Sequence, residues 1–283
     1  MTDLSRELNG KYRMLQTIIR EMGSMVIGYS GGVDSTLLLK VAHDTIGSKV
    51  LAVIGQSETY PSREFEEARS LAHEIGARFE VVTTEETDVL KFRENPPNRC
   101  YFCKTELFGK VREIAQRENF EWIADGSNVD DRGDFRPGMA ANTEKNVRSP
   151  LLEAHMTKED IRHLSKYLHL RTWDKQSFAC LSSRFPYGQS IDKKKLSKID
   201  RAENILRDNG FTFFRARHHD DRTVRIEVGP QEIKRFADDA FREKIVSAMK
   251  DTGFTYITLD LFGFRSGSMN EVLTDEEKKQ YVP

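Results

Sequence analysis

This sequence of 283 residues has few cysteines, almost no net charge and no long apolar run. It has no charged leader followed by an apolar stretch and no apolar run long enough to span a bilayer, so we expect a soluble cytoplasmic protein without a membrane partner. The 44 basic side chains almost cancel the 45 acidic ones, which gives no broad basic surface for binding nucleic acid. The three cysteines cannot all pair with one another, and they fit metal ligands or a reactive thiol better than a disulfide framework.

Apolar runs alternate with amphipathic segments through the first part of the chain. Strand-like runs are expected at Met25–Tyr29, Val50–Ile54, Phe79–Val82 and Trp122–Ala124. Helices are expected among them, from Ser62 to Ile75 and from near Lys104 to Arg117. This alternation predicts an α/β fold with a doubly wound parallel sheet.

A smaller α+β domain is expected at the C-terminal end, with the division between residues 1–188 and 189–283. Its expected elements are a helix at Asp192–Asp208, strands at Phe211–Phe214, Val224–Val228 and Tyr256–Leu259, and a helix from Pro230. In the first domain, Thr157 is followed three residues later by Asp160. This pattern predicts a capping box at the start of a helix that runs to about Tyr167.

A six-residue segment with the sequence Ser-Gly-Gly-Val-Asp-Ser begins at Ser30, where a predicted strand passes into a predicted helix. Backbone N–H groups and the helix dipole converge on an anion at such a junction, and Gly31 and Gly32 let the backbone approach it closely. The Ser30 and Ser35 hydroxyls can add donors, and Asp34 can hold Mg²⁺ or orient the loop. No lysine stands where a Walker loop has one, which predicts a cleavage of ATP other than γ-phosphoryl transfer. A glycine-rich turn with a satisfied helix cap is the purely structural alternative.

This hexapeptide resembles the signature of the PP-loop ATP pyrophosphatases, which release pyrophosphate and leave AMP on the substrate. The resemblance implies that the protein uses ATP and Mg²⁺. It also implies that Gly126, Asn128 and Asp131, which follow the strand-like Trp122–Ala124, hold the adenylate at the carboxyl end of a parallel strand. From the residues alone, Asp and Asn beside a glycine are equally good turn formers.

The three cysteines are Cys100, Cys103 and Cys180, and the first two form a Cys-x2-Cys pair whose thiolates can face one ion. Three ligands leave one coordination position open, which a structural zinc site closes with a fourth Cys or His. An iron–sulfur cluster held by three cysteines offers its fourth iron to a substrate or to hydrosulfide. Three unlinked thiols are the structural alternative. Spacing singles out none of the histidines that could complete a zinc site: His73, His155, His163, His169, His218 and His219.

Five segments together resemble the LarE family over nearly the whole chain: Asn95–Lys104, Asp134–Gly138, Ser149–Leu151, Cys180–Gly188 and Gly263–Ser268. LarE proteins are sulfur transferases for the nickel-pincer nucleotide cofactor of lactate racemase, and they adenylate and then thiolate pyridinium carboxylates. In one branch, the cysteine that matches Cys180 gives up its own sulfur and becomes dehydroalanine. That branch lacks the Cys-x2-Cys pair, so this sequence resembles the three-cysteine branch, in which a [4Fe-4S] cluster is expected to carry the sulfur.

The second domain carries two arginines, Arg215 and Arg217, whose spacing places both guanidinium groups on one face of a strand. Paired arginines suit a phosphate because each can make bidentate contacts. The resemblance implies that these two and Arg184 bind the phosphate of the substrate, and that Glu203 binds metal or substrate. Arginines on a strand are otherwise ordinary solvated residues.

We therefore expect an AMP-forming sulfur transferase whose partners are ATP, a pyridinium carboxylate nucleotide and sulfide or another sulfur donor, assembled as a homo-oligomer. A tRNA thiolation enzyme is the nearest alternative, because several such enzymes combine a PP-loop with three cysteines around a cluster. It would need a basic footprint that the near-neutral charge does not give. An ammonia-using synthetase leaves the three cysteines unexplained, and a non-catalytic metal-binding adaptor would release no pyrophosphate. Sacrifice of the sulfur of Cys180 without a cluster also stays open.

Overall fold

The structure is a computed structural model that describes residues 4–133, 142, 144–176, 179–265 and 267–280. These residues form two compact units. The first unit runs to Glu86 and resumes at Asn98, and the second unit takes Thr87–Pro97 and resumes at Ala179. Two parts of the family resemblance lie outside the described residues: Asp134–Gly138 and Ser266. The predicted division into residues 1–188 and 189–283 stays a prediction.

The first unit is built on a parallel sheet of five strands. They are β1 Met25–Gly28, β2 Val50–Gln56, β3 Arg78–Thr83, β4 Trp122–Ala124 and β5 Val147–Arg148. Their order across the sheet is β3-β2-β1-β4-β5, and every neighbouring pair is parallel. The strand order therefore reverses between β1 and β4, which is the switch point where such sheets bind ligands. The α/β prediction is confirmed.

The helices predicted at Ser62–Ile75, up to about Tyr167 and at Asp192–Asp208 lie close to their observed positions. The α-helices of the described residues are α1 Arg6–Met22, α2 Val33–Ile46, α3 Ser62–Ile75, α4 Leu90–Arg93, α5 Arg99–Arg117, α6 Pro150–Glu153, α7 Lys158–Tyr167, α8 Lys193–Asp208, α9 Asp239–Asp251 and α10 Asp275–Gln280. The predicted capping box is present, since Asp160 N–H donates to Thr157 and the Asp160 carboxylate accepts from the Thr157 N–H. The start predicted near Lys104 is wrong, because α5 begins at Arg99. Pro97 and Asn98 form a turn just before it, and the helix begins directly after this turn.

The central strands are apolar on both faces because helices cover both sides of the sheet. Successive side chains point to opposite faces. Ile27 and Ile54 belong to the apolar cluster that includes Leu37 of α2. Val26 belongs to a second cluster that includes Phe108 of α5. This two-sided packing holds the carboxyl ends of β1 and β4 in place.

The second unit contains a three-stranded sheet. Its strands are β6 Phe214–His218, β7 Thr223–Val228 and β8 Tyr256–Leu259, with β6 antiparallel and β8 parallel to β7. The predicted strand at Phe211–Phe214 is wrong, because β6 begins only at its last residue. The Phe211 N–H bonds to the Leu206 carbonyl oxygen at 3.2 Å, and the Phe211 ring stacks on Phe236. An apolar run that packs against the end of a helix has the same sequence pattern as a strand, which explains the misplaced start of β6.

The helix predicted from Pro230 forms in two parts. Its first part is a 3₁₀ segment, Pro230–Ala237, and α9 follows almost directly. In the part of the chain that the structure describes, no helix has both the length and the apolar character needed to cross a membrane.

The segment Thr87–Pro97 joins the second unit through long-range backbone hydrogen bonds. The Gly188 N–H donates to the Asn95 carbonyl oxygen at 3.0 Å, and the Ile191 N–H donates to the Arg93 carbonyl oxygen at 2.9 Å. These bonds connect residues far apart in sequence. They explain why the second unit includes a segment from within the first predicted domain.

Candidate active site

The loop between β1 and α2 carries the predicted phosphate-binding segment. Gly31 has a φ of 62°, and a Cβ added to it would lie 2.7 Å from the Cβ of Ala68 on α3, so both backbone and space require glycine. The Ser35 Oγ accepts from the Ser30 N–H at 3.3 Å and lies 3.2 Å from the Ser30 Oγ, which closes the loop on itself. No side chain caps α2 at Gly32. The first N–H groups of the helix are therefore suited to an anion.

The loop that follows β4 packs directly against this helix start. A Cβ added to Gly126 would lie 2.9 Å from the backbone nitrogen of Ser35 and 3.3 Å from the carbonyl carbon of Asp34. Only glycine lets the two backbones approach so closely. The structure thus brings together the two segments predicted to bind ATP, at the carboxyl ends of neighbouring parallel strands.

Asn128 and Asp131, which were also predicted to hold the adenylate, order the turn after β4. The buried Asn128 accepts from the Asp130 N–H at 3.0 Å and donates from Nδ2 to Asp34 at 3.3 Å. The backbone N–H of Asn128 donates to the Asp131 carboxylate at 3.0 Å. These bonds tie the second loop to Asp34. Contact of these residues with an adenylate stays a prediction.

Lys158, the first residue of α7, is a site residue that the sequence analysis did not identify. Its ammonium forms an ion pair with Asp34, and its backbone N–H donates to Asp130 at 2.7 Å. A cation at this point can offset the charge of a triphosphate. The signal that could have identified Lys158 is the capping box at Thr157, because the cap fixes where α7 begins.

Cys100 and Cys103 lie in the first two turns of α5, and both are half-buried and form no disulfide. Positions three residues apart share one face of a helix, so the two sulfurs can face one ion. The Sγ of Cys103 lies 3.8 Å from Oε1 of Glu86, a carboxylate that is 2% exposed and also accepts from the Ser57 hydroxyl at 2.7 Å. Sequence reasoning did not identify Glu86 because it lies in a different segment of the chain.

Arg184, in the second unit, is 1% exposed, and its guanidinium donates hydrogen bonds to neighbouring protein groups. Its Nε and Nη2 donate to the two carboxylate oxygens of Glu203 at 2.8 and 2.9 Å. Its Nη1 donates to the carbonyl oxygens of Ala179 and Cys180 at 2.9 and 3.2 Å. The guanidinium therefore fixes the backbone of the turn that carries Cys180, while its predicted contact with a substrate phosphate stays a prediction.

The Glu203 carboxylate is stabilised in its charged form. Burial acts to raise its pKa, but the charge and hydrogen bonds of Arg184, with the Arg215 charge and the Ala216 N–H, outweigh burial and lower the pKa. The Ala216 N–H donates to Oε1 at 3.1 Å. Both oxygens of Glu203 thus have protein partners, and its role as a ligand to metal or substrate stays a prediction.

Arg215 and Arg217 lie on β6, and neither is an ordinary solvated arginine. The Arg215 guanidinium lies 4.8 Å from the centre of the Phe264 ring, and burial followed by the charge of Arg184 lowers its pKa to about 10. Arg217 is 6% exposed and donates to Glu227 at 2.9 Å. Arg217 also lines a cavity of about 310 Å³ within the second unit. An arginine that faces a cavity is consistent with the predicted phosphate role, which stays a prediction.

Comparisons with known proteins extend over both units. A family model described as NAD synthase matches residues 8–117. The chain is 41% identical over 267 residues to an uncharacterized protein of Synechocystis sp., covering 94% of this chain and 99% of the relative. It is 36% identical over 265 residues to the pyridinium-3,5-bisthiocarboxylic acid mononucleotide synthase of Lactiplantibacillus plantarum, covering 93% of this chain and 95% of that protein. The chain belongs to the LarE family of PP-loop proteins.

A third relative is less similar in sequence but also matches both units. An uncharacterized protein of Methanocaldococcus jannaschii is 28% identical over 86% of this chain and 91% of its own length. All three relatives match across both units rather than across the phosphate loop alone. The family resemblance inferred from the quoted motifs is therefore confirmed.

The resemblance to the three-cysteine branch of LarE implies a [4Fe-4S] cluster, and the soft thiolates of Cys100 and Cys103 on one helix face fit two of its cysteine ligands. Cys180 belongs to the second unit, so the three-cysteine site stays a prediction. Within either unit, the described residues include no group of three His, Cys, Asp or Glu side chains placed to hold a metal ion. No histidine there completes a zinc site. For Mg²⁺, the carboxylate of Asp34 beside the phosphate loop is the type of ligand that this ion prefers.

Proposed function

We propose that this LarE protein is an ATP-dependent sulfur transferase that converts a pyridinium carboxylate mononucleotide into a thiocarboxylate. One observation carries the proposal: the chain is 36% identical, over 95% of its relative's length, to a pyridinium-3,5-bisthiocarboxylic acid mononucleotide synthase. The glycine loop at the switch point of the sheet supports the use of ATP, since it offers backbone N–H groups to phosphates. The absence of a Walker lysine from the Ser30–Ser35 segment supports release of pyrophosphate rather than of phosphate.

The first step is activation of the substrate carboxylate. A carboxylate oxygen attacks the α-phosphorus of ATP and forms an O–P bond, while the bond from this phosphorus to the bridging oxygen breaks and pyrophosphate leaves with the electron pair. The loop N–H groups and the Ser30 and Ser35 hydroxyls would hold the departing pyrophosphate. Lys158 and a Mg²⁺ ion at Asp34 would offset the charge that develops on it.

The second step replaces the activated oxygen. Cys100, Cys103 and Cys180 would hold a [4Fe-4S] cluster, whose open iron would offer hydrosulfide from the sulfur donor as the nucleophile. The hydrosulfide sulfur would form a bond to the activated carbonyl carbon while the bond from this carbon to the AMP oxygen breaks, so that AMP leaves with the electron pair and the hydrosulfide proton passes to solvent. Arg184 would hold the Cys180 turn in position through the two backbone carbonyl groups that it binds. In the alternative, the Cys180 thiolate would form the bond to the carbonyl carbon as AMP leaves. Its Cβ–S bond would then break with loss of the Cα proton, which leaves the thiocarboxylate and dehydroalanine at this position.

The test is turnover by the anaerobically purified full chain with ATP, Mg²⁺, pyridinium-3,5-biscarboxylate mononucleotide and sulfide. We expect pyrophosphate release that depends on the substrate, together with a product mass in which sulfur replaces oxygen. Cys180→Ser should lose the thiolated product while it retains pyrophosphate release, because activation needs the phosphate loop but not the thiol. Substrate-dependent release of phosphate in place of pyrophosphate would contradict the proposal.

Iron and sulfide analysis with intact protein mass distinguishes the two sulfur sources. Iron-dependent turnover that leaves every cysteine intact is expected for the cluster, and Cys100→Ser and Cys103→Ser should then lose both iron and product. Loss of the mass of hydrogen sulfide from the Cys180 peptide, without bound iron, would instead indicate sacrifice of that residue.

Assembly and location belong to the same proposal. We propose a homo-oligomer, supported by Leu261 and Phe262, which are 83% and 78% exposed and adjacent on the second unit. Exposed neighbouring apolar side chains are typical of protein contact surfaces. The reducing cytoplasm, where cysteines stay available as ligands or thiolates, is the compartment that suits this chemistry.

A further inference from the structure

Two carbonyl groups of the phosphate loop are each held by a side chain from elsewhere in the first unit. The Tyr60 hydroxyl, just before α3, donates to the Ser30 carbonyl oxygen at 2.7 Å. The Lys175 ammonium, beyond α7, donates to the Gly31 carbonyl oxygen at 3.2 Å. Neither Tyr60 nor Lys175 belongs to the phosphate-binding motif.

These two contacts determine the direction of the loop N–H groups. In a planar trans peptide, the carbonyl of one residue and the N–H of the next point in opposite directions. Holding the Ser30 carbonyl therefore directs the Gly31 N–H, and holding the Gly31 carbonyl directs the Gly32 N–H. Successive N–H groups that point to one side form a concave anion site. Glycine at positions 31 and 32 leaves these peptide planes free to rotate unless something holds them.

We propose that Tyr60 and Lys175 are positioning residues that orient the peptide groups of the phosphate loop toward the pyrophosphate portion of ATP. The inference rests on the proposed function, because it presupposes that the loop binds pyrophosphate. It goes beyond that function by assigning loop orientation to two side chains outside the motif.

Electrostatics support the same roles. Lys175 lies 2.8 Å from the carboxylates of both Glu64 and Glu67, and the Glu64 side chain is only 6% exposed. Its cation therefore offsets two negative charges that would otherwise oppose a phosphate beside the loop. Burial, followed by the charge of Glu64, raises the pKa of Tyr60, which keeps its hydroxyl protonated and able to donate.

The first test removes one oxygen atom by Tyr60→Phe in the full chain and measures the binding of inorganic pyrophosphate and of AMP by calorimetry. We expect pyrophosphate affinity to fall about threefold to tenfold, the effect of one hydrogen bond, with AMP affinity unchanged. Tyr187→Phe is the matched control, since it removes a hydroxyl that donates at 2.7 Å to Asn270 in the second unit. It should leave pyrophosphate affinity as it is.

The second test uses Lys175→Met, which should weaken pyrophosphate binding about tenfold or more because a charged donor is lost. The double variant Lys175→Met/Glu64→Gln also neutralises the buried carboxylate that Lys175 contacts, and it keeps the test usable if the single variant folds poorly. It should still bind pyrophosphate more weakly than the wild type does.

Equal loss of AMP and pyrophosphate affinity would indicate a merely structural role and overturn the inference. Unchanged pyrophosphate affinity in both the Tyr60 and Lys175 variants would also overturn it. A wild-type protein that binds neither pyrophosphate nor ATP would overturn the proposed function and the inference together.

Discussion

The phosphate loop of the first unit and the Cys180 turn of the second unit are two backbone segments held in place by different means. The loop depends on small residues, since Gly31 and Gly126 allow contacts that a Cβ would prevent. The turn depends on a large buried charge, since Arg184 bonds to its carbonyl groups and is itself neutralised by Glu203.

The difference has consequences for how each segment responds to mutation. A site made of backbone and glycine is sensitive to added atoms, because close-packed neighbours leave no space for them. A site held by a buried ion pair is sensitive to lost charge, because the remaining partner stays buried without compensation.

Removing the negative partner by Glu203→Ala should have the largest effect. It leaves the Arg184 guanidinium buried without its counter-charge, which costs about 3–5 kcal/mol of unfolding free energy. Urea unfolding measures the loss, and hydrogen exchange at residues 179–184 should show that it includes the Cys180 turn. The double variant Arg184→Met/Glu203→Leu is the control and should recover most of the lost stability. A cost below about 1 kcal/mol for the single change would contradict the role given to this pair.

Adding a methyl group by Gly31→Ala should have the next largest effect. Gly47→Ala is a matched control, because Gly47 has a φ of 61° against 62° for Gly31 but has nothing within 4 Å of an added Cβ. Both changes place a Cβ at a positive φ, which strains the backbone at each position, and the contact with Ala68 should add about 1–3 kcal/mol at Gly31. Thermal unfolding compares the two variants. Pyrophosphate binding should be lost only in Gly31→Ala, and equal behaviour of the two variants would show that space is not what the loop requires.

Lowering the pH should have a smaller effect, centred on the second unit. His218 is buried and stacked on Phe185, and burial followed by the Lys195 charge lowers its pKa from 6.5 to about 4. Between these values the unfolded chain binds a proton that the folded chain does not, so stability falls as pH falls through this range. From pH 7.5 to 5.5 the loss from this group should be about 1 kcal/mol after allowance for solvent screening.

His218→Gln should flatten this part of the pH dependence, and thermal unfolding across the pH range measures it. The exposed neighbour His219 provides the control, since His219→Gln should leave the slope as in the wild type. An unchanged slope in His218→Gln would assign the pH dependence to other groups.

The parts of the site that the sequence predicted are those whose functional groups lie on consecutive residues. The hexapeptide at Ser30 combines its glycines, hydroxyls and strand-to-helix context within six consecutive residues, so its position beyond β1 followed from pattern alone. Lys158 and Glu86 were missed because each reaches the site through tertiary contacts with Asp34 or Cys103. The strand at Phe211–Phe214 was misplaced because an aromatic cluster that closes a helix has the same apolar pattern as a strand.

By itself, the sequence determined the α/β class, the phosphate loop and the family, because periodicity and contiguous motifs are properties of neighbouring residues. Tertiary structure alone decided which groups meet at each segment. The parallel sheet brings the loops after β1 and β4 into contact, although nearly a hundred residues separate them in the chain. It also decided that Arg184 is an internal ion-pair partner of the Cys180 turn. An arginine has the same sequence signature whether its charge faces solvent or a buried carboxylate, and only packing distinguishes the two.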